Sequence, residues 1–180
     1  MLSELFKTEE RAKILHFVMF RSSFGVAEVS RATGITKGLV SRYLRCLMEH
    51  GLLQKEGRRY SPFDGAHSRA IKLLLNLEKI DLSALSLGSS KGLGLYGSWA
   101  RGTNHQDSDL DVWLRVDSLP PESELATLQK DLSMQAGVEV NLLVLTPEKL
   151  ERLKREDRPF YNSLVMNSVT LRGEPIEEYR

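Results

Sequence analysis

Cysteine is almost absent from this chain. Cys46 stands alone among 180 residues, so an intrachain disulfide is excluded. It falls in an apolar stripe of helical spacing and reads as a small buried hydrophobe in a reducing compartment. Long apolar runs are missing too. None approaches the ~18 residues that a membrane-spanning helix needs, and residues 1–10 are charged, without the apolar stretch of a secretory leader. The expected location is the cytoplasm, with no membrane partner. Neither an internal repeat nor a low-complexity tract is present. With 41% hydrophobic residues, one domain or two small ones is expected, not a fibre or a disordered tail.

Net charge is only +1, but it is unevenly spread. Residues 1–70 carry 12 basic and 7 acidic side chains, a net +5, whereas 71–180 carry 13 and 17, a net −4. Such asymmetry points to nucleic-acid contact by the first half. Residues 8–20 place Ile14, Phe17 and Val18 at i, i+3 and i+4 and predict an amphipathic helix. Residues 26–33 predict a second helix stopped by Gly34, and 36–50 a third stopped by Gly51. In the third, Val40, Tyr43, Leu44 and Leu47 form the inward stripe and leave Lys37, Ser41, Arg42 and Arg45 facing outward. Residues 52–56 and 59–62 flank Gly57 as a hairpin. His50 falls at a helix C-terminus, and none of His16, His50 and His67 has a metal-ligand partner at useful spacing.

The run from Glu28 through Thr33-Gly34-Ile35-Thr36-Lys37 to Arg45, followed by Glu49-His50-Gly51-Leu52-Leu53, resembles the winged helix-turn-helix of transcription regulators. That resemblance implies a DNA-binding domain over 1–64 and double-stranded DNA as partner. Thr36, Lys37, Ser41, Arg42 and Arg45 would meet the major groove, and Arg58 and Arg59 the backbone or minor groove. A homodimer is compatible with it. Residues 65–80 are expected to connect the halves by a helix with Ile71, Leu74 and Leu75 on one face.

The second half carries one stretch with specific chemistry. Gly97-Ser98-Trp99-Ala100-Arg101-Gly102 reads as a tight turn into a short helix after a strand. Ser108-Asp109-Leu110-Asp111 then opens a second strand with two carboxylates. Alternate residues of a strand share a face and lie roughly 6.5 Å apart, so both aspartates can share a magnesium ion that also holds phosphate oxygens. The glycine lets backbone approach closely, and the Ser98 hydroxyl adds a donor. Trp99 and Trp113 are expected to pack the core, and His105 to be a solvated loop residue near any nucleotide.

This motif, at this spacing, resembles the polymerase-beta-like nucleotidyltransferases, in particular their minimal, small-domain branch. The resemblance implies transfer of a nucleoside monophosphate from a nucleoside triphosphate, ATP by preference, with Mg²⁺ or Mn²⁺. Asp109 and Asp111 would hold metal, and Gly97, Ser98 and Arg101 the triphosphate. The family places a third carboxylate on a later strand, and there this chain departs: Asn141 occupies the matching position, with Glu139 two residues earlier as a ligand or an exposed strand residue.

Further along, Ser118 is expected to cap a helix reaching residue 135, and Thr146 with Pro147 to open another. Pro159 should interrupt that helix, 160–166 continue it, and 169–172 form a last strand. The fold class expected is α+β: a winged helix-turn-helix domain, then a nucleotidyltransferase domain over 81–180 with a mixed sheet flanked by helices. Three functions are expected: a transferase with an unknown acceptor, a regulator that senses nucleotide without turnover, and, implied by the resemblance to small antitoxin-type transferases, a protein that neutralises or modifies a toxin partner and binds DNA for autoregulation.

Overall fold

The computed structural model describes residues 1–177; the last three residues of the domain expected over 81–180 lie outside the described residues. The chain divides into two compact units, Met1–Leu75 and Asn76–Arg180.

The first unit runs α1 (Leu2–Leu5), α2 (Glu9–Met19), α3 (Val26–Thr33), α4 (Lys37–Glu49), β1 (Leu53–Glu56) and β2 (Arg59–Pro62), then enters α5 (Ala66–Glu78). Thr8 caps α2 by accepting from the Arg11 amide, which satisfies one orphan donor of the first turn. Gly34 ends α3 in the left-handed region at φ 75°, and the Ser30 hydroxyl donates to the Ile35 carbonyl at 2.6 Å. Together these set the turn into α4. Val40, Tyr43, Leu44 and Leu47 of α4 are buried, packed with Leu15, Val18, Phe24 and Val29. Each such side chain contributes about 1.5–3 kcal/mol on burial. Strands β1 and β2 pair antiparallel, Leu53 opposite Pro62 and Glu56 opposite Arg59.

Two expectations for this unit need correction. Ile71 and Leu75 are buried in its core, but Leu74 is 43% exposed, because i and i+4 share the inward face while i+3 falls at its margin. The short helix α1 was not foreseen; a single turn leaves no periodic pattern to read.

The second unit contains β3 (Gly92–Leu95), α6 (Gly97–Arg101), β4 (Leu110–Arg115), α7 (Glu122–Ala136), β5 (Val140–Leu145), α8 (Pro147–Glu156), α9 (Arg158–Asn167) and β6 (Val169–Gly173). The sheet order is β5-β4-β3-β6. Strand β3 is antiparallel to β4 and β6, while β4 and β5 run parallel, joined by the helical crossover that parallel pairing requires. Alternation then sorts the side chains into two faces. Leu110, Val112, Leu114 and Val140 pack with Leu128, Leu132 and Ala136 of α7. Trp113 and Leu145 pack with Leu164 of α9 on the other face. Gly94 lies opposite Trp113, and a Cβ there would overlap the indole ring. The expected tryptophan packing holds: Trp99 and Trp113 are buried.

Helix boundaries differ from expectation at two prolines. Helix α7 starts at Glu122, with Pro121 at the cap and no side-chain cap bond, so Ser118 lies outside it. Pro159 does not interrupt a helix; it sits in the first turn of α9, capped by Asp157, whose carboxylate accepts from the Phe160 amide at 3.1 Å. Proline is tolerated there because its missing N–H has no intrahelical acceptor. Thr146 caps α8 as expected. Among the described residues, no helix is long and apolar enough to cross a membrane.

Candidate functional site

Strand β3 delivers the chain to Tyr96, whose amide donates to the Asp111 carbonyl at 3.0 Å. This bond carries the β3–β4 ladder one residue further and lays the turn against Asp111. Gly97 then turns into α6 at φ 67°. A Cβ at Gly97 would overlap the Asp111 carboxylate, so glycine is required twice, by conformation and by contact. Ser98 is half-buried beside it, and Arg101 is exposed at the end of the helix. Gly102, at φ 64°, closes α6, and the Thr103 amide donates to the Ser98 carbonyl at 3.0 Å.

The loop to the aspartates is held from inside the unit. Asn76 and Asn104 are buried and exchange amide hydrogen bonds, each at 3.0 Å. Asn76 also donates to the Trp99 carbonyl at 2.9 Å. The Trp99 indole donates to the Ser108 carbonyl at 3.2 Å, and the Ser108 hydroxyl accepts from the His105 amide at 2.8 Å. Ser108 is therefore gripped at two points immediately before Asp109.

Strand β4 begins at Leu110, not at Asp109, because the first ladder bond runs from the Leu110 amide to the Glu139 carbonyl at 2.8 Å. Asp109 sits exposed at the mouth of the strand, whereas Asp111 is half-buried within it. Asp111 lies opposite Asn141 in the parallel register, and the Asn141 amide donates to Asp111 Oδ1 at 3.1 Å. Glu139 is exposed, one residue ahead of the Leu110–Val140 pair. Among the described residues, neither Asp109 nor Asp111 forms an ion pair with a basic side chain. Burial pushes the Tyr96 phenol up, with the Asp111 charge as a second cause, and its ring meets Phe160 edge-on at 6.4 Å.

Sequence spacing did not single out Tyr96, Asn76 or Asn104. Asn76 lies more than twenty positions before the motif, and amide side chains in a helix usually face solvent, so no local signal marked it.

In the first unit, Thr36 stands at the N-cap of α4 without a side-chain cap bond. Thr36, Lys37, Arg42 and Arg45 are exposed and Ser41 is half-buried, which lays a basic strip along one side of α4. Arg58 is exposed beside the hairpin turn. Arg59 is engaged internally: its guanidinium donates to the Ser23 hydroxyl at 2.6 Å and carbonyl at 2.9 Å, and reaches Glu28 at 3.4 Å. Cys46 is half-buried rather than fully so. Spacing along the chain gave His50 no ligand partner; in space, the ligand atoms of Glu4, Cys46 and His50 lie within 4.8 Å of one another.

The IclR helix-turn-helix domain matches residues 12–57, and the nucleotidyltransferase domain matches residues 77–166, half of the chain. No curated protein matches it. Among solved structures, it is similar to a toxin–antitoxin crystallised with AMP-PNP, at 20% identity over 61% of this chain and 75% of that one, with a TM-score of 0.37. Two mutants of the toxin–antitoxin MntA-HpeT match at 19% and 18% identity, over 62% and 61% of this chain and 75% of each of theirs, with TM-scores of 0.37 and 0.38. With the Gly-Ser turn seated on the Asp-x-Asp strand and the family profile spanning both, the chain belongs to the nucleotidyltransferase domain family and carries a helix-turn-helix domain ahead of that domain.

Proposed function

We propose that this protein transfers a nucleoside monophosphate from a magnesium- or manganese-bound nucleoside triphosphate, ATP by preference, while its first unit binds double-stranded DNA. The observation that carries the reading is the apposition of Gly97 and the Asp111 carboxylate, with a side chain at position 97 excluded by overlap. The donor set fits a hard divalent cation: two carboxylates that form no ion pair with a basic side chain among the described residues, one exposed and one half-buried, beside backbone that a phosphate can approach. Asp109 and Asp111 hold the metal. A bound divalent cation supplies charge neutralisation at the transferring phosphoryl group. The Ser98 hydroxyl and the amides of the turn receive phosphate oxygens, and Arg101, exposed at the end of α6, adds positive charge as pyrophosphate leaves.

One observation favours a second reading. Asn141 fills the place beside Asp111 with a neutral amide that donates to the carboxylate. An acceptor hydroxyl gains no third carboxylate there, so a protein that binds nucleotide and turns it over slowly, a sensor attached to a DNA-binding domain, suits this arrangement. A toxin-type protein partner is carried only by the resemblance of the motif.

Incubation of the full chain with labelled ATP and Mg²⁺, beside an Asp109→Ala control, separates the readings. Label transfer or pyrophosphate release that disappears in the control is the outcome expected of a transferase. ATP binding without product identifies a sensor, and absence of ATP binding in the parent protein overturns both.

A further inference from the structure

One cluster is used by neither the carboxylate site nor the basic strip. Cys46 on α4 and His50 at its C-cap are four residues apart and so share a helical face. Glu4 of α1 completes the set, with His50 Nε2 2.7 Å from Glu4 Oε2. The ligand atoms of all three lie within 4.8 Å of one another, and no other such trio occurs among the described residues. The meeting is structurally secured. Leu5 is fully buried, its carbonyl accepts from the Tyr43 hydroxyl at 2.8 Å, and the Arg11 guanidinium donates to the Glu4 carbonyl. Tyr43 lies one turn before Cys46 on the same helix, so the contact that anchors α1 also sets Glu4 beside the Cys46–His50 pair.

We propose that Glu4, Cys46 and His50 form a binding site for one divalent transition-metal ion, zinc by its donor set. Thiolate and imidazole select a softer ion than the magnesium suited to Asp109 and Asp111. Three protein ligands leave a fourth position open to water. Neighbouring ligand atoms around tetrahedral zinc stand about 3.3–3.7 Å apart, so the Glu4 and His50 atoms, at 2.7 Å, part slightly, and the whole trio settles from within its 4.8 Å spread. On binding, the Cys46 thiol releases its proton, His50 coordinates through neutral Nε2, and the Glu4–His50 hydrogen bond gives way to two bonds to the ion. The ion thereby ties α1 to the C-terminal end of the helix that bears Lys37, Arg42 and Arg45.

The test uses the full chain carrying Asp109→Ala and Asp111→Ala, so that the acidic pair cannot take the probe ion. Cobalt(II) is added and then displaced by zinc. One ion per chain is expected, with near-ultraviolet sulfur-to-cobalt charge transfer; since Cys46 is the only cysteine, that band can arise from no other side chain. Cys46→Ser should abolish the band, and His50→Gln and Glu4→Gln should each weaken binding by tenfold or more with the circular dichroism spectrum unchanged. Absence of the band, half an ion per chain, or undiminished cobalt affinity in Cys46→Ser overturns the site and leaves a simple Glu4–His50 hydrogen bond. Should Cys46→Ser fail to fold, alkylation of Cys46 in the parent decides: zinc must slow it at least tenfold, and an unchanged rate overturns the proposal.

Discussion

Gly97 and Asn141 meet the same carboxylate from two sides, and they set opposite expectations. Gly97→Ala adds a Cβ that overlaps the Asp111 carboxylate and imposes the left-handed penalty of about 1–2 kcal/mol. Its manganese affinity, read by calorimetry, should fall at least tenfold, and its urea midpoint should drop. Unchanged affinity would show that Asp111 does not bind metal in this pose. Asn141→Asp works the other way. It removes the amide donated to Asp111 and sets two carboxylates in adjacent register, so the metal-free protein loses stability through like-charge repulsion. With metal, it should bind manganese more tightly and transfer faster by about tenfold, or about 1.4 kcal/mol of barrier. A variant that binds ATP yet shows neither gain removes position 141 from the metal site.

At the scale of elements, the site depends on a short helix and a loop that could not hold their shape alone. Helix α6 spans five residues, far below the length at which an isolated helix is stable. Its support is the buried Asn76–Asn104 pair and the Asn76 bond to the Trp99 carbonyl. Asn76→Ala leaves a buried carbonyl without this donor, at a cost of about 1–3 kcal/mol. Urea denaturation should register that loss, and the KM for ATP should rise as the loop before Asp109 loosens. A destabilised variant with wild-type KM would assign Asn76 to stability alone.

For the molecule as a whole, the division of charge along the chain runs close to the division of structure. The basic residues of the first unit do not all have the same freedom, however. Arg42 and Arg45 are exposed on α4, while the Arg59 guanidinium is bound to Ser23 and Glu28. If the first unit binds DNA, Arg42→Ala with Arg45→Ala should reduce the slope of log affinity against log salt by about two. Arg59→Ala should leave that slope unchanged and lower the thermal midpoint instead. A loss of slope of about one in Arg59→Ala would place Arg59 on the phosphates and refute its internal role.

The periodicity of Ile14, Phe17 and Val18, the glycine stops at 34 and 51, and the Thr146-Pro147 start were enough to mark helices, because caps and apolar stripes act over a few residues. The motif from Gly97 to Asp111 was legible for the same reason: a turn and a strand bring its parts together locally. Contacts between distant segments were beyond that reach. That Asn141 donates to Asp111, that Asn76 grips the loop from α5, that Glu28 occupies Arg59, and that Glu4 meets Cys46 and His50 depend on which side chains face one another after burial of the core. Sequence determined the elements and the chemistry each carries; the tertiary structure decided their partners, since a hydrogen bond or an ion pair depends on distance in space and the chain alone specifies only distance along itself.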